Sequence, residues 1–157
     1  MAKIGIIGAG SWGIALSVLL HNNGHEITVW SILEDEINML KTEHEHKDKL
    51  PGVKLPEDMV FTTSLPEAIE GKDILVLAVP SPFTRSTSHN MKPYVADGQI
   101  IVNVAKGIEE HTLMTLSQII EEEVPQANVA VLSGPSHAEE VGRGIPTTIV
   151  VGAKTRE

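Results

Sequence analysis

A doubly wound α/β fold with a mostly parallel sheet is what this sequence predicts, on three observations. Short apolar runs alternate with stretches of helical periodicity along the whole chain, the order of a βαβ protein. One run, Asp73 to Val79, is nearly all apolar, as a strand covered by helices on both faces must be. A glycine-rich turn, Gly8 to Gly13, stands between the first apolar run and the first helical stretch.

Each element follows in order. Lys3 to Ile7 is the first strand. From Ser11 onward, Trp12, Ala15, Leu16, Leu19 and Leu20 fall on one helical face, and Asn22-Asn23-Gly24 closes that helix with a residue suited to a left-handed end. Glu26 to Trp30 is the second strand. Glu34 to Lys41 is a helix whose acidic first turn suits the positive end of its dipole, and a polar loop from Glu43 to Lys49 follows. Met59 to Thr62 is a short strand, and Ser64 caps a short helix to Ile69. Asp73 to Val79 is a buried strand, Phe83 to Tyr94 a helix ended by Pro93, and Gln99 to Val104 another buried strand. Thr112 to Glu123 reads as a helix with Leu113, Leu116 and Ile120 on one face. A strand over Asn128 to Leu132, a short helix from about Ser136 and a strand over Thr147 to Val151 complete the set.

The bulk properties bound the function. The 157 residues fit one domain, 1–157, and a chain this long buries roughly 70% of its unfolded surface without staples. A composition of 41% hydrophobic and 21% charged residues excludes wholesale disorder. The net charge of −9 argues against nucleic-acid or anionic-membrane partners, which need a basic face. With no cysteine, disulfides, thiolate catalysis, iron–sulfur clusters and zinc–thiolate sites are excluded. The apolar start is broken at Gly8, too early for a signal peptide, and no window reaches the ~18 apolar residues of a membrane span. A soluble, cytoplasmic protein is the expectation.

Gly8-Ala9-Gly10-Ser11-Trp12-Gly13 matches G-x-G-x-x-G between a strand and a helix, the context in which the motif binds a dinucleotide. Gly8 permits the tight turn, Gly10 lets the backbone approach a pyrophosphate, and Gly13 lets helix and strand pack closely. The fold is thus of the Rossmann type, with NAD or NADP as cofactor. The second checkpoint, an acid at the end of the second strand, is not met. Trp30-Ser31-Ile32-Leu33 holds neither an acid for a ribose hydroxyl nor an arginine for a 2′-phosphate, and Glu34 and Asp35 come late. The sequence leaves NAD against NADP open.

Further signatures lie where later strands end: Ala78-Val79-Pro80-Ser81 with Arg85 beyond, Lys106-Gly107-Ile108-Glu109, and Ser133-Gly134-Pro135-Ser136-His137-Ala138 running into Glu139-Glu140-Val141. With GAGSWG, LPGVKLP at 50–56 and GIPTTIVV at 144–151, they resemble in order the bacterial NAD(P)-dependent glycerol-3-phosphate dehydrogenases, over residues 3 to about 152. The resemblance implies reversible reduction of dihydroxyacetone phosphate to sn-glycerol 3-phosphate, for glycerophospholipid synthesis, by a homodimeric full-length enzyme. To Gly8, Gly10 and Gly13 of the motif it adds Ser11, Trp12, Lys106 and Ala138 as cofactor residues, and it assigns Lys106, Gly134 and Ser136 to the substrate. It also implies that the acid–base lysine and phosphate contacts belong to a helical substrate domain beyond residue 157, so that no catalytic residue is named here and the chain is inactive alone. Ile32 departs from a basic residue common in the family, and His137 from a phenylalanine.

Other readings carry less. Glu43-His44-Glu45-His46 is a solvated loop or helix end before it is a metal site. Ser133, Ser136 and His137 lack the G-x-S-x-G elbow of a hydrolase, and no G-K-[ST] follows the glycine turn to make a Walker motif. A non-catalytic NAD(P)-binding module, and the cofactor domain of another hydroxyacid or phosphogluconate dehydrogenase, remain as alternatives. The Lys106 and Ser136 loops stand against the latter.

Overall fold

The computed structural model describes residues 1–156; Glu157, with which the expected domain closes, lies outside the described residues. Among the described residues, seven strands form one sheet: β1 (Lys3–Ile7), β2 (Glu26–Trp30), β3 (Val60–Thr62), β4 (Ile74–Leu77), β5 (Ile100–Asn103), β6 (Asn128–Ser133) and β7 (Val150–Ala153). Their spatial order is β3-β2-β1-β4-β5-β6-β7, parallel throughout except for antiparallel β7. Six helices join them: α1 (Ser11–Asn22), α2 (Glu34–Glu43), α3 (Leu65–Ile69), α4 (Thr84–Met91), α5 (Leu116–Glu123) and α6 (Ala138–Gly142). The expected doubly wound, Rossmann-type sheet is present.

Alternation along the central strands divides the core in two. Ile4, Ile6 and Val76 face one way, where Ile14 and Ala15 of α1, Ile37 and Leu40 of α2 and Val141 of α6 cover them. Ile7, Leu75, Leu77 and Ile101 face the other way, under Ala68 and Ile69 of α3, Met91 of α4 and Ile120 of α5. Both clusters close on the same strands, so β1 and β4 are buried on both faces and must be apolar.

Several expected boundaries shift for physical reasons. The helix expected over Thr112–Glu123 begins at Leu116, because Thr115 and Gln118 form a reciprocal capping box. Leu113 sits outside it with φ 56°, 71% exposed, and Ile119 is buried instead. The stretch Phe83–Tyr94 is an α-helix only over Thr84–Met91, flanked by 3-10 turns at Ser81–Phe83 and Lys92–Tyr94, each containing a proline. The last strand runs over Val150–Ala153 rather than Thr147–Val151. It pairs antiparallel to β6, with Ser133 opposite Val150, and leaves Val150 and Val151 exposed. The short helix begins at Ala138, with His137 at its N-cap. The polar loop after α2 is not wholly solvated: His46 is 2% exposed and paired with Glu36.

Candidate functional site

Strand β1 lies between β2 and β4, and there the connections diverge to opposite sides of the sheet. This is the switch point at which open α/β sheets leave a crevice beyond their carboxyl ends. Three strand ends converge tightly around it. Gly8 N–H donates to Trp30 O at 2.9 Å and Ala78 N–H to Ile7 O at 2.8 Å. Gly8 has φ +118°, and a Cβ there would lie 2.8 Å from the Ala78 carbonyl carbon. A Cβ on Gly13 would lie 2.2 Å from Gly8 O. These two glycines let α1 sit directly on the strand ends.

Gly10 differs. It is the N-cap of α1, with φ −70° and ψ 177°, and a Cβ there would meet nothing within 4 Å. The first turn of α1 carries no acidic side chain and no side-chain cap. Its N–H groups face open space at the positive end of a twelve-residue helix, an arrangement suited to an anion such as a phosphate.

From this point a cleft of about 1440 Å³ runs along the carboxyl ends of β2, β1, β4, β5 and β6. Its size exceeds the roughly 300–1000 Å³ of ordinary small-molecule pockets, as an extended ligand requires. Gly8, Gly10, Ser11, Trp12, Lys106, Gly134, Ser136 and Ala138 all line it; Gly13 does not, and lies behind the wall in the helix–strand contact. Trp12 and Ala138 are partly buried against the core while facing the cleft.

Lys106 follows β5, and Gly134 follows the adjacent β6. Lys106 Nζ donates to Gly134 O at 3.0 Å, which joins two of the expected substrate residues across the cleft. The Lys106 loop is anchored at its far end. Arg85 of α4 grips both carboxylate oxygens of Glu109, through Nε at 2.7 Å and a terminal nitrogen at 2.8 Å. Its other terminal nitrogen reaches Glu122 and Glu123 of α5 at 2.6 and 2.8 Å. Hydrogen bonds from Arg85 hold Glu109 down to about 2 and raise the guanidinium further beyond its usual range. Glu123 is lowered by Arg85 and, secondly, by His89.

A carboxylate whose folded pKa is depressed contributes stability above its ordinary value of 4.5, and loses it as pH falls toward 2. Acid titration of stability should therefore show a loss over that window. Arg85→Met should flatten it, when followed by urea midpoints. An unchanged slope would mean that the Arg85–Glu109 pair does not hold the loop in solution.

At the opposite end of the cleft lie Ser31, Ile32 and Leu33, the expected ribose checkpoint, together with Glu36 and Lys49, which the sequence did not single out. Glu36 reads as one of three first-turn acids of α2, yet it is 8% exposed. One signal could have found it: Glu36 and Leu40 are four apart and share the buried face of the helix. Burial pushes the Glu36 carboxyl up, but hydrogen bonds from His46, Lys49 and Ser31 outweigh it and hold the carboxyl below its usual range. His137 is exposed at the other end of the cleft, where it caps α6 without a side-chain bond.

Comparison with known proteins adds the following. A family model described as "NAD-dependent glycerol-3-phosphate dehydrogenase N-terminus" matches residues 3–157. The whole chain is 65% identical to a glycerol-3-phosphate dehydrogenase, NAD(P)+, of Agathobacter rectalis, and covers 47% of that protein. It is 58% identical to one of Fusobacterium nucleatum, covering 48%. The crystal structure of a glycerol-3-phosphate dehydrogenase from Coxiella burnetii is similar over 98% of this chain and 47% of its own, with TM-score 0.92 and 30% identity. The chain thus spans about half the length of the curated relatives it matches.

Proposed function

The chain belongs to the family of NAD-dependent glycerol-3-phosphate dehydrogenase N-termini, and from that premise we propose that it is the dinucleotide-carrying half of an enzyme interconverting dihydroxyacetone phosphate and sn-glycerol 3-phosphate. The observation that carries this reading is the open space at Gly10. A helix N-terminus without acid or side-chain cap faces it, in a cleft that ends at Lys106, Gly134 and Ser136. Residues 1–157 act as one dinucleotide-binding domain on this reading.

The fit of residues to cofactor is chemical. The α1 N–H groups beside Gly10 and Ser11 suit a pyrophosphate. Trp12 offers an aromatic face, Ala138 a small apolar wall, and Gly8 a backbone free of side-chain bulk. Gly13 contributes from behind, by seating α1. When bound, NAD(P)H supplies hydride chemistry at the substrate carbonyl carbon. Lys106 keeps donors beyond the one given to Gly134, and its cationic head suits a substrate oxygen that gains negative charge. Ser136, with the nearby backbone, offers further polar groups for the substrate. Proton transfer is left, on this reading, to the lysine that the resemblance implies in the substrate domain, and the residues of this cleft position the reactants. Action in the cytoplasm as a homodimer, in glycerophospholipid synthesis, belongs to the same reading and rests on the family alone.

Titration of the chain with NADH is the test. The quench of tryptophan fluorescence should saturate and should shrink in Trp12→Phe, leaving the part due to Trp30, which also lines the cleft, 7% exposed with its indole N–H bonded to Thr63 O. No oxidation of NADH by dihydroxyacetone phosphate should occur. Turnover by this chain alone would put the acid–base group within it, and absence of any NADH or NADPH binding would sink the cofactor reading.

A further inference from the structure

The corner of the cleft beyond β2 is where such a fold receives the adenosine ribose, and there a 2′-hydroxyl or a 2′-phosphate is told apart. Ser31 follows Trp30 directly and is 5% exposed. Its hydroxyl donates to one oxygen of Glu36 and accepts from Leu33 N–H at 3.1 Å. The other Glu36 oxygen accepts from His46 Nε2 at 2.8 Å and from Lys49 Nζ at 2.6 Å. His46 Nδ1 accepts from Lys49 N–H at 3.2 Å, which leaves Nε2 to donate to Glu36. Lys49 is the cation that opposes the Glu36 charge.

The rim of this corner is apolar. Ile32 is 76% and Leu33 56% exposed, and Glu34 and Asp35 begin α2 beside them. The Glu36 carboxylate pairs with the ammonium of Lys49, and position 32 holds no base.

Resting on the dinucleotide reading above, we propose that this corner takes an unphosphorylated adenosine ribose, so that the chain prefers NADH to NADPH, with Glu36 as the residue that sets the preference. A ribose hydroxyl both donates and accepts. It can satisfy the lone pairs of Ser31 and Glu36 and the remaining donors of Lys49 without disturbing any of them. A 2′-phosphate brings close to two negative charges to the same place. Glu36 cannot withdraw, because Ser31, His46 and Lys49 hold it and the helix buries it. The ammonium of Lys49 is already paired with the buried Glu36 carboxylate, so this corner offers a phosphate only its remaining donors and no uncompensated positive charge. The acid missing at the strand end is thus supplied from the first turn of the next helix, through Ser31.

Dissociation constants for NADH and NADPH, measured on the same chain by tryptophan quenching, test this. NADH should bind at least about tenfold more tightly, roughly 1.4 kcal/mol. Glu36→Gln keeps the shape, removes the charge and releases Lys49, so the ratio should fall toward one. Ile32→Arg adds a cation at the exposed rim without touching the buried cluster, and it should narrow the ratio even if Glu36→Gln folds poorly. Equal or tighter NADPH binding by the unmodified chain would overturn the proposal. So would a ratio unmoved by both substitutions. Binding of neither dinucleotide would instead overturn the cofactor reading beneath it.

Discussion

Gly13→Ala is expected to cost the domain about 3 kcal/mol, the upper end for overpacking a close contact. The added methyl would stand 2.2 Å from Gly8 O and 3.3 Å from Ala78 Cβ. Neither neighbour can yield cheaply. Gly8 is fixed by its bond to Trp30 O and by a positive φ, and Ala78 by its bond to Ile7 O. The remaining relief is to lift α1 from the sheet, which opens the packing around Ile14 and Ala15, both 0% exposed. Gly10→Val is the contrasting substitution. Its side chain meets open space and its backbone angles are open to any residue, so stability should change by less than about 1 kcal/mol, the scale of an N-cap preference. The same side chain would fill the space before the α1 N–H groups, and NADH affinity should fall at least about 100-fold, or ~2.7 kcal/mol. Urea denaturation and fluorescence titration of the two variants separate the effects. A Gly13→Ala chain of unaltered stability would contradict the close approach of helix and strand. A Gly10→Val chain that binds normally would remove the pyrophosphate from this turn.

The sequence carried the strand and helix order because each element has its own signal. The run Asp73 to Val79 is apolar on both faces, and the glycine turn stands between a run and a periodic stretch. Where two local signals compete, periodicity misleads. Leu113 is in phase with Leu116 and Ile120, yet the Thr115–Gln118 capping box starts the helix later and puts Leu113 in solvent. Strand direction carries no periodic signal at all, so Thr147 to Val151 could be read as a strand but not as an antiparallel edge. The site divides in the same way. The Gly8 to Gly13 turn is contiguous and legible. Lys106 and Gly134 are 28 residues apart and meet because β5 and β6 are neighbours, and Arg85 reaches Glu109 across 24 residues. Glu36 and His46 look like solvated polar residues until the loop after α2 folds back and buries them together. Such pairings depend on tertiary structure, and no spacing rule reveals them.

Glu36→Ala should lower stability at neutral pH by about 3 kcal/mol, the scale for removing one partner of a buried, hydrogen-bonded charge. The loss would leave the Nε2 proton of His46 and the hydroxyl of Ser31 without their acceptor, and Lys49 without its counter-ion. His46 is 2% exposed, so Glu36 rather than water satisfies it in the natural chain. The folded carboxyl lies below its ordinary value of 4.5, so its charged interactions are fully present above that value and are lost as pH falls through the folded pKa. The stability gap between the natural chain and Glu36→Ala should thus be widest at neutral pH and should narrow in acid. Urea midpoints for both proteins at about pH 7 and about pH 3 measure it. A gap that stays constant between the two would mean that Glu36 acts there by filling space, and the charge-based account of cofactor preference at that corner would lose its foundation.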